Sequence, residues 1–398
     1  MNKILQNNSP IFLDNNSSTP LDPIVKDYIV QLLPQLGANP SSFHSFGKKI
    51  RSLINQSRDT IAAYLKVKPQ EIIFTSGGTE GANTAIRGII PQNLPCHIIS
   101  SETEHSCVHA TLKELESRGY KVTYLTPGAY GAPTPRQVLE AITPNTKLIA
   151  LMAVNNETGV KTDIDAIAKI AQDHAIPFFV DGVARLAKEP FTIPQGVTMM
   201  SFSGHKCHAL QGIGFLFMRS GTKCRPILTG GEHEYGKRAG TENVIGIAAL
   251  GKAVELLNKE IHSFSKYMEQ LRDYFETLLQ KELPNVLVNG EGPRISNVSN
   301  LAFSGVDGET LLIELDRAGV AASHGSACAS GSLEPSHVLI AMGLPLERVH
   351  ASLRFSFSRI TTKEEIEEGA KRIIAIVKRL SPHLHTVDDH QQTKKIEC

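Results

Sequence analysis

The chain has 398 residues, with 41 Lys and Arg against 40 Asp and Glu and a formal charge of +1. A balance this close to neutral, with no run of like charges, excludes the sequence-independent phosphate attraction on which nucleic-acid binders rely. A hydrophobic share of 41% with 20% charged residues excludes a chain disordered throughout, and no apolar run reaches the roughly 18 residues of a membrane span.

The opening residues Met1 to Asn16 carry no apolar block of the kind that marks a secretory signal, so a soluble cytoplasmic protein is expected. Six scattered cysteines (Cys96, Cys107, Cys207, Cys224, Cys328 and Cys398) form no Cys-x-x-Cys pair and read mainly as small, reduced core residues.

In chain order, Asp22-Pro23 supplies an N-cap and a first-turn proline, and Ile24, Val25, Tyr28, Ile29, Leu32 and Leu33 follow at helical spacing. A second helix is expected from about Lys48 to Leu65. The apolar stretch from Glu71 to Thr75 then reads as a buried strand that runs into Ser76-Gly77-Gly78-Thr79. Strands and helices alternate from there. Strands are expected at 97–100, 122–125, 147–154, 177–181, 198–202 and 212–217, with helices after His105, after Thr134-Pro135 and through Ile164, Ile167, Ala168 and Ala171. Such alternation predicts an α/β fold with a mainly parallel sheet covered by helices on both faces. From Thr241 to about Leu283 a long helical stretch is expected, broken or bent somewhere. A smaller α+β unit follows, with strands at 297–303, 320–323 and 352–356 and helices at 308–318 and 362–380. Thr362 and Glu365 fit a capping box for the last of these. The end from about His385 to Cys398 is polar and expendable to the fold.

Ligands of an open α/β sheet bind beyond the carboxyl ends of its strands, which directs attention to five places. At Thr75 to Glu80 a strand ends in small residues and a helix begins, offering free N–H groups to a phosphate. Asn155 and Asn156 cluster amides at a strand end. Asp181 closes the apolar strand Phe179-Val180; it could cap the next helix, or hold a cationic ring nitrogen. Lys206 follows Ser203-Gly204-His205, and a lysine desolvated at a sheet end can attack an aldehyde as the neutral amine. The segment from Ser323 to Ser332 is built of small residues around Cys328, a composition suited to a loop with a reactive thiol.

Taken in this order, the five places resemble the pyridoxal-phosphate enzymes of aminotransferase class V, and among them the cysteine desulfurases. The likeness runs from Leu13-Asp14 and Thr19-Pro20 through Ser201 to Lys206, Gly230-Gly231-Glu232-His233 and Arg238 to Thr241, to Gly325 through Pro335. That last segment is similar to the long cysteine loop of the desulfurases that feed iron-sulfur cluster assembly. The resemblance implies a fold type I transferase. Residues 15–260 would form a large cofactor-binding domain with a seven-stranded type of sheet. Residues 1–14 with 261–384 would form a small domain carrying the cysteine loop, and 385–398 a tail.

It further implies pyridoxal 5'-phosphate as cofactor, bound covalently by Lys206, which also moves the substrate α-proton. Asp181 would hold the ring nitrogen, His105 stack on the ring and shuttle protons, and Asn156 bond the phenolic oxygen. Gly78, Thr79, Ser203 and His205 would take the phosphate, with Thr241 reaching over from the second subunit of a homodimer. Arg354 would bind the substrate carboxylate as a bidentate pair. Cys328 would take sulfur from L-cysteine as a persulfide, leaving alanine, and pass it to an acceptor protein such as an iron-sulfur scaffold or a tRNA-thiolation carrier. No DNA, membrane or metal ion enters this scheme.

Three positions depart from the family pattern. Ala184 stands where a glutamine donates to the phenolic oxygen, Cys207 to Gly212 replaces a glycine-proline stretch, and His324 stands where serine is frequent. They leave two rivals: a class V lyase acting on selenocysteine or cysteine sulfinate, and a degenerate cofactor-binding sulfur carrier with weak activity.

Overall fold

The computed structural model describes residues 9–92, 94–325 and 335–381. In chain order these form β1 (Ile11–Phe12), α1 (Pro23–Leu32), α2 (Ser45–Leu65), β2 (Ile72–Thr75), α3 (Gly78–Ile89), β3 (His97–Ser101), α4 (Ser106–Ser117), β4 (Lys121–Leu125), α5 (Pro135–Ala141), β5 (Thr146–Met152), α6 (Ile164–Asp173), β6 (Phe178–Asp181), β7 (Met199–Ser203) and β8 (Gly214–Met218). The remainder comprises α7 (Val244–Glu282), β9 (Val286–Val288), β10 (Val298–Phe303), α8 (Gly308–Arg317), β11 (Val320–Ala321), α9 (His337–Ala341), α10 (Leu346–His350), β12 (Ser352–Ser356) and α11 (Lys363–Leu380).

Seven strands make the large sheet in the order β2-β8-β7-β6-β5-β3-β4. All neighbours are parallel except those of β8, which runs against both β7 and β2. Its strands are apolar on both sides because helices cover both faces. Successive residues therefore divide between two cores: Phe178 and Val180 of β6 join one, Phe179 the other. Register aligns the strand ends, with Met152 opposite Asp181 and Asp181 opposite Ser201.

The smaller unit has the antiparallel sheet β12-β10-β9, the parallel pair β1-β11 and its own core around Phe275, Leu301, Phe303, Phe355 and Phe357. The expected break in the long helix is absent. α7 is one helix of 39 residues, its first half (Ile247 to Ile261) packed into the large core and its second (Leu271, Phe275, Leu279) into the small one. The intervening polar stretch, Asn258 to Lys266, contains neither proline nor glycine, so nothing interrupts the hydrogen-bond ladder between the two cores. Among the described residues no helix is long and apolar enough to cross a membrane.

Candidate active site

The parallel strands deliver their last residues to one edge of the sheet, and a single cavity opens there. Gly78, Thr79, His105, Asn156, Asp181, Ser203, His205, Lys206 and Arg354 all line it. They come from six separate elements or the turns that end them.

At the first of these, β2 turns sharply into α3. Gly77 takes φ +156 and Gly78 lies so close to its neighbours that a Cβ would meet Val183 Cγ2 at 2.5 Å and Ser203 Oγ at 3.0 Å. Gly78 N–H donates to Ser203 Oγ at 2.7 Å, joining the start of α3 to the end of β7. The 12-residue α3 thus presents its N-terminal N–H groups beside a hydroxyl, an anion-binding arrangement.

Asp181 ends β6 and is buried, its Oδ1 accepting from Val183 N–H at 3.0 Å. Burial pushes its carboxyl above the ordinary range, while His105 and Lys206 pull it back. Beside it Glu104 is also buried. Desolvation, with the Asp181 charge adding, raises the Glu104 carboxyl well above its usual range, although Met152 N–H donates to Oε1 at 2.8 Å. Both carboxyls are buried, and each opposes the other's ionisation.

Lys206 closes a short turn after β7, its Nζ donating to the carbonyl oxygens of Asn16 at 2.5 Å and Ser17 at 2.7 Å. Burial, with the Lys206 charge adding, holds His205 down to about 4, so its imidazole is neutral at physiological pH. Arg354, in β12, is 1% exposed. One terminal nitrogen donates to Asp14 Oδ1 at 2.7 Å, the other to the Asn156 carbonyl at 2.9 Å, and Nε is buried with no partner among the described residues.

Two expected residues stand apart. Thr241 is exposed and outside the cavity lining of this chain. Cys328 lies outside the described residues, as does Cys398. The residues flanking the cysteine segment lie near Glu157: Ser336 Oγ donates to Glu157 Oε2 at 2.5 Å, and a Cβ on Gly325 would come within 3.6 Å of the same oxygen. Glu157 follows the cavity residue Asn156, so both flanks lie close to the cavity wall.

The cysteines need one correction. Cys96, Cys207 and Cys224 are buried as expected, the Cys207 thiol pushed up to about 12 by desolvation. Cys107 packs against the core only on one side. It is half-buried and lines the cavity, with Sγ 3.1 Å from His105 Nδ1. The cue was its position two residues after a histidine that caps a helix. Asn16 and Ser17 enter through backbone carbonyls, for which residue type carries no signal. Ala184 also lines the cavity, bringing no side-chain donor.

The family model for aminotransferase class V matches residues 11–368. A cysteine desulfurase of Nostoc sp. is 43% identical over 375 residues, covering 94% of this chain and 94% of that protein. The cysteine desulfurase IscS of Dictyoglomus turgidum is 39% identical over 390 residues, 97% of this chain and 98% of that one. Among solved structures, a NifS-like protein superposes with a TM-score of 0.87 at 29% identity, over 94% of this chain and all of that one. A second NifS-like protein, from Rickettsia africae, gives a TM-score of 0.82 at 29% identity, again over 94% and 100%.

Proposed function

The chain belongs to the class V aminotransferase family, among its cysteine desulfurases, and from that premise we propose that it uses pyridoxal 5'-phosphate to convert L-cysteine to L-alanine, with Cys328 taking the sulfur. The residues present suit that cofactor. A primary amine (Lys206), a buried carboxylate (Asp181) and a helix N-terminus flanked by Ser203 and His205 converge on one cavity, matching an aldehyde, a pyridine nitrogen and a phosphate. The close approach at Gly78 leaves no room for a side chain between the α3 N-terminus and Ser203. When bound, pyridoxal phosphate supplies an aldehyde for the substrate amine and a ring that withdraws electrons from Cα.

The chain's own residues do the rest. Asp181 keeps a proton on the ring nitrogen. Arg354, fixed by Asp14 and Asn156 and with Nε unused, holds the substrate carboxylate. Lys206 removes the α-proton. The Cys328 thiolate attacks the substrate sulfur: an S–S bond forms, the Cβ–S bond breaks, and its electron pair stays on the carbon fragment, which takes up protons and leaves as alanine. The persulfide then goes to an acceptor protein. Thr241, exposed on a single chain, is proposed to face a second subunit's cavity in a cytoplasmic homodimer. Residues 15–260 and 1–14 with 261–384 are proposed as the large and small domains.

The observation that carries this reading is the convergence of nine residues from six elements, a lysine and a buried aspartate among them, on one cavity at the sheet's carboxyl edge. The test is to purify the protein, record the cofactor absorbance, add L-cysteine with a reductant, and measure alanine and sulfide together. Coloured protein that releases no alanine contradicts the reading, as does cofactor that borohydride still attaches covalently in Lys206→Ala.

A further inference from the structure

The helix α4, like α2 with His44, begins at a histidine cap. Its N-cap is His105, and the cap acceptor is the imidazole: Nδ1 receives the N–H of Cys107 at 3.2 Å. A ring nitrogen that accepts a backbone N–H carries no hydrogen of its own, so neutral His105 bears its proton on Nε2. Cys107 Sγ lies 3.1 Å from the same Nδ1. With Nδ1 an acceptor, the thiol S–H is the donor in that contact. His105, Cys107 and Asp181 bring their polar atoms within 4.8 Å of one another in the cavity wall.

We infer that Cys107 is a positioning residue for His105, its S–H fixing the imidazole in the Nε2–H form and holding the ring plane at the cavity. The inference rests on the proposed role of His105 in the desulfurase site. The backbone N–H anchors Nδ1 at one point. The thiol adds a second point, so a proton at Nδ1 would break the backbone contact and force the thiol contact to reverse direction. Among the charged groups around the cavity, Asp181 from β6 favours the imidazolium, whereas Lys206 after β7 and Arg354 in β12 oppose it. His205, itself neutral, adds no charge. Cys107 acts with the opposing set, favouring the neutral ring with its proton on Nε2.

The test is histidine-selective ¹⁵N NMR on the full-length holoenzyme, with the His105 signals assigned by their loss in His105→Asn. The wild type is expected to show the Nε2–H tautomer. Cys107→Ala should raise the pH at which His105 protonates by about half to one unit, as removal of one neutral hydrogen bond implies. Cys107→Ser, which keeps an O–H donor, should return it to the wild-type value. The acid limb of the alanine-forming rate should move in step. An Nδ1–H tautomer in the wild type overturns the inference whatever the variants do, which covers the case of a variant that fails to fold. Equal behaviour of the alanine and serine variants overturns it as well. A wild type that forms no alanine strikes the desulfurase reading but leaves the ring titration legible; an unmoved titration in an active enzyme strikes Cys107 alone.

Discussion

Lys188 is 1% exposed, and among the described residues its ammonium has no hydrogen-bond or ion-pair partner. Desolvation pulls it from an ordinary 10.5 down to about 8, with Lys206 and Arg359 pushing the same way. A proton held more weakly in the fold than in the unfolded chain makes the folded state pay for the charge: at about 1.4 kcal/mol per pH unit, the cost below pH 8 is about 3 kcal/mol. Between pH 8 and 10.5 the unfolded chain binds more protons than the folded one, so stability rises with pH and the cost disappears above that window. Lys188→Met keeps a similar unbranched volume and removes the charge. The backbone carbonyl of Lys188, which accepts from Ser296 Oγ, is untouched. Urea unfolding of both proteins at pH 7 and above pH 10 should show the variant more stable at pH 7 by up to about 3 kcal/mol, with the advantage gone at the higher pH. Comparing the two proteins cancels the other groups that titrate there. A variant less stable than wild type at pH 7, or a difference that ignores pH, would refute the reasoning.

Glu234→Ala removes both carboxylate oxygens that Arg58 bonds at 2.7 and 2.9 Å and the acceptor of Phe74 N–H, leaving a buried guanidinium with the Ile72 carbonyl but no counter-charge. A loss of about 3–5 kcal/mol in denaturant unfolding is expected, and one below about 1 kcal/mol contradicts it. Gly78→Ala should lower cofactor retention in equilibrium dialysis by more than about tenfold, since its Cβ must push Val183 or Ser203 away. Unchanged retention places the phosphate elsewhere. Glu104→Gln mimics a protonated carboxyl. Because burial raises the folded-state carboxyl well above the 4.5 of the unfolded chain, the wild type loses stability as pH rises past that value and the amide variant does not. Thermal midpoints should coincide near pH 4 and favour the variant at pH 7; the reverse order there would show Glu104 ionised in the fold.

Much of the site was legible because strand ends announce themselves. Asp181 closes an apolar run, Lys206 follows another, and Ser76-Gly77-Gly78 separates a strand from a helix. Caps read equally well: the Asp22, Thr134 and Thr362 side chains each accept from their helix's first turn. Strand order was less accessible, since nothing local tells β8 to insert antiparallel between β2 and β7. The continuity of α7 was less legible: its polar middle left a break or a bend open, and only the two cores it bridges explain why it stays helical. α9 and α10, five residues each, are too short for a periodic signal. Cys107 was hidden by composition, as a thiol among scattered thiols. The α4 start shows its chemistry, because a helix N-cap brings residue 107 onto the ring of residue 105. Thr241 is exposed and outside the cavity lining of this chain.

The most direct test of the whole account follows one sulfur atom. When holoenzyme turns over L-cysteine once without reductant, alanine and a persulfide on Cys328 should appear one for one, and Cys328→Ala should keep the bound cofactor yet form no protein persulfide. Alanine released without a persulfide on Cys328, or a persulfide that survives in Cys328→Ala, would contradict the account.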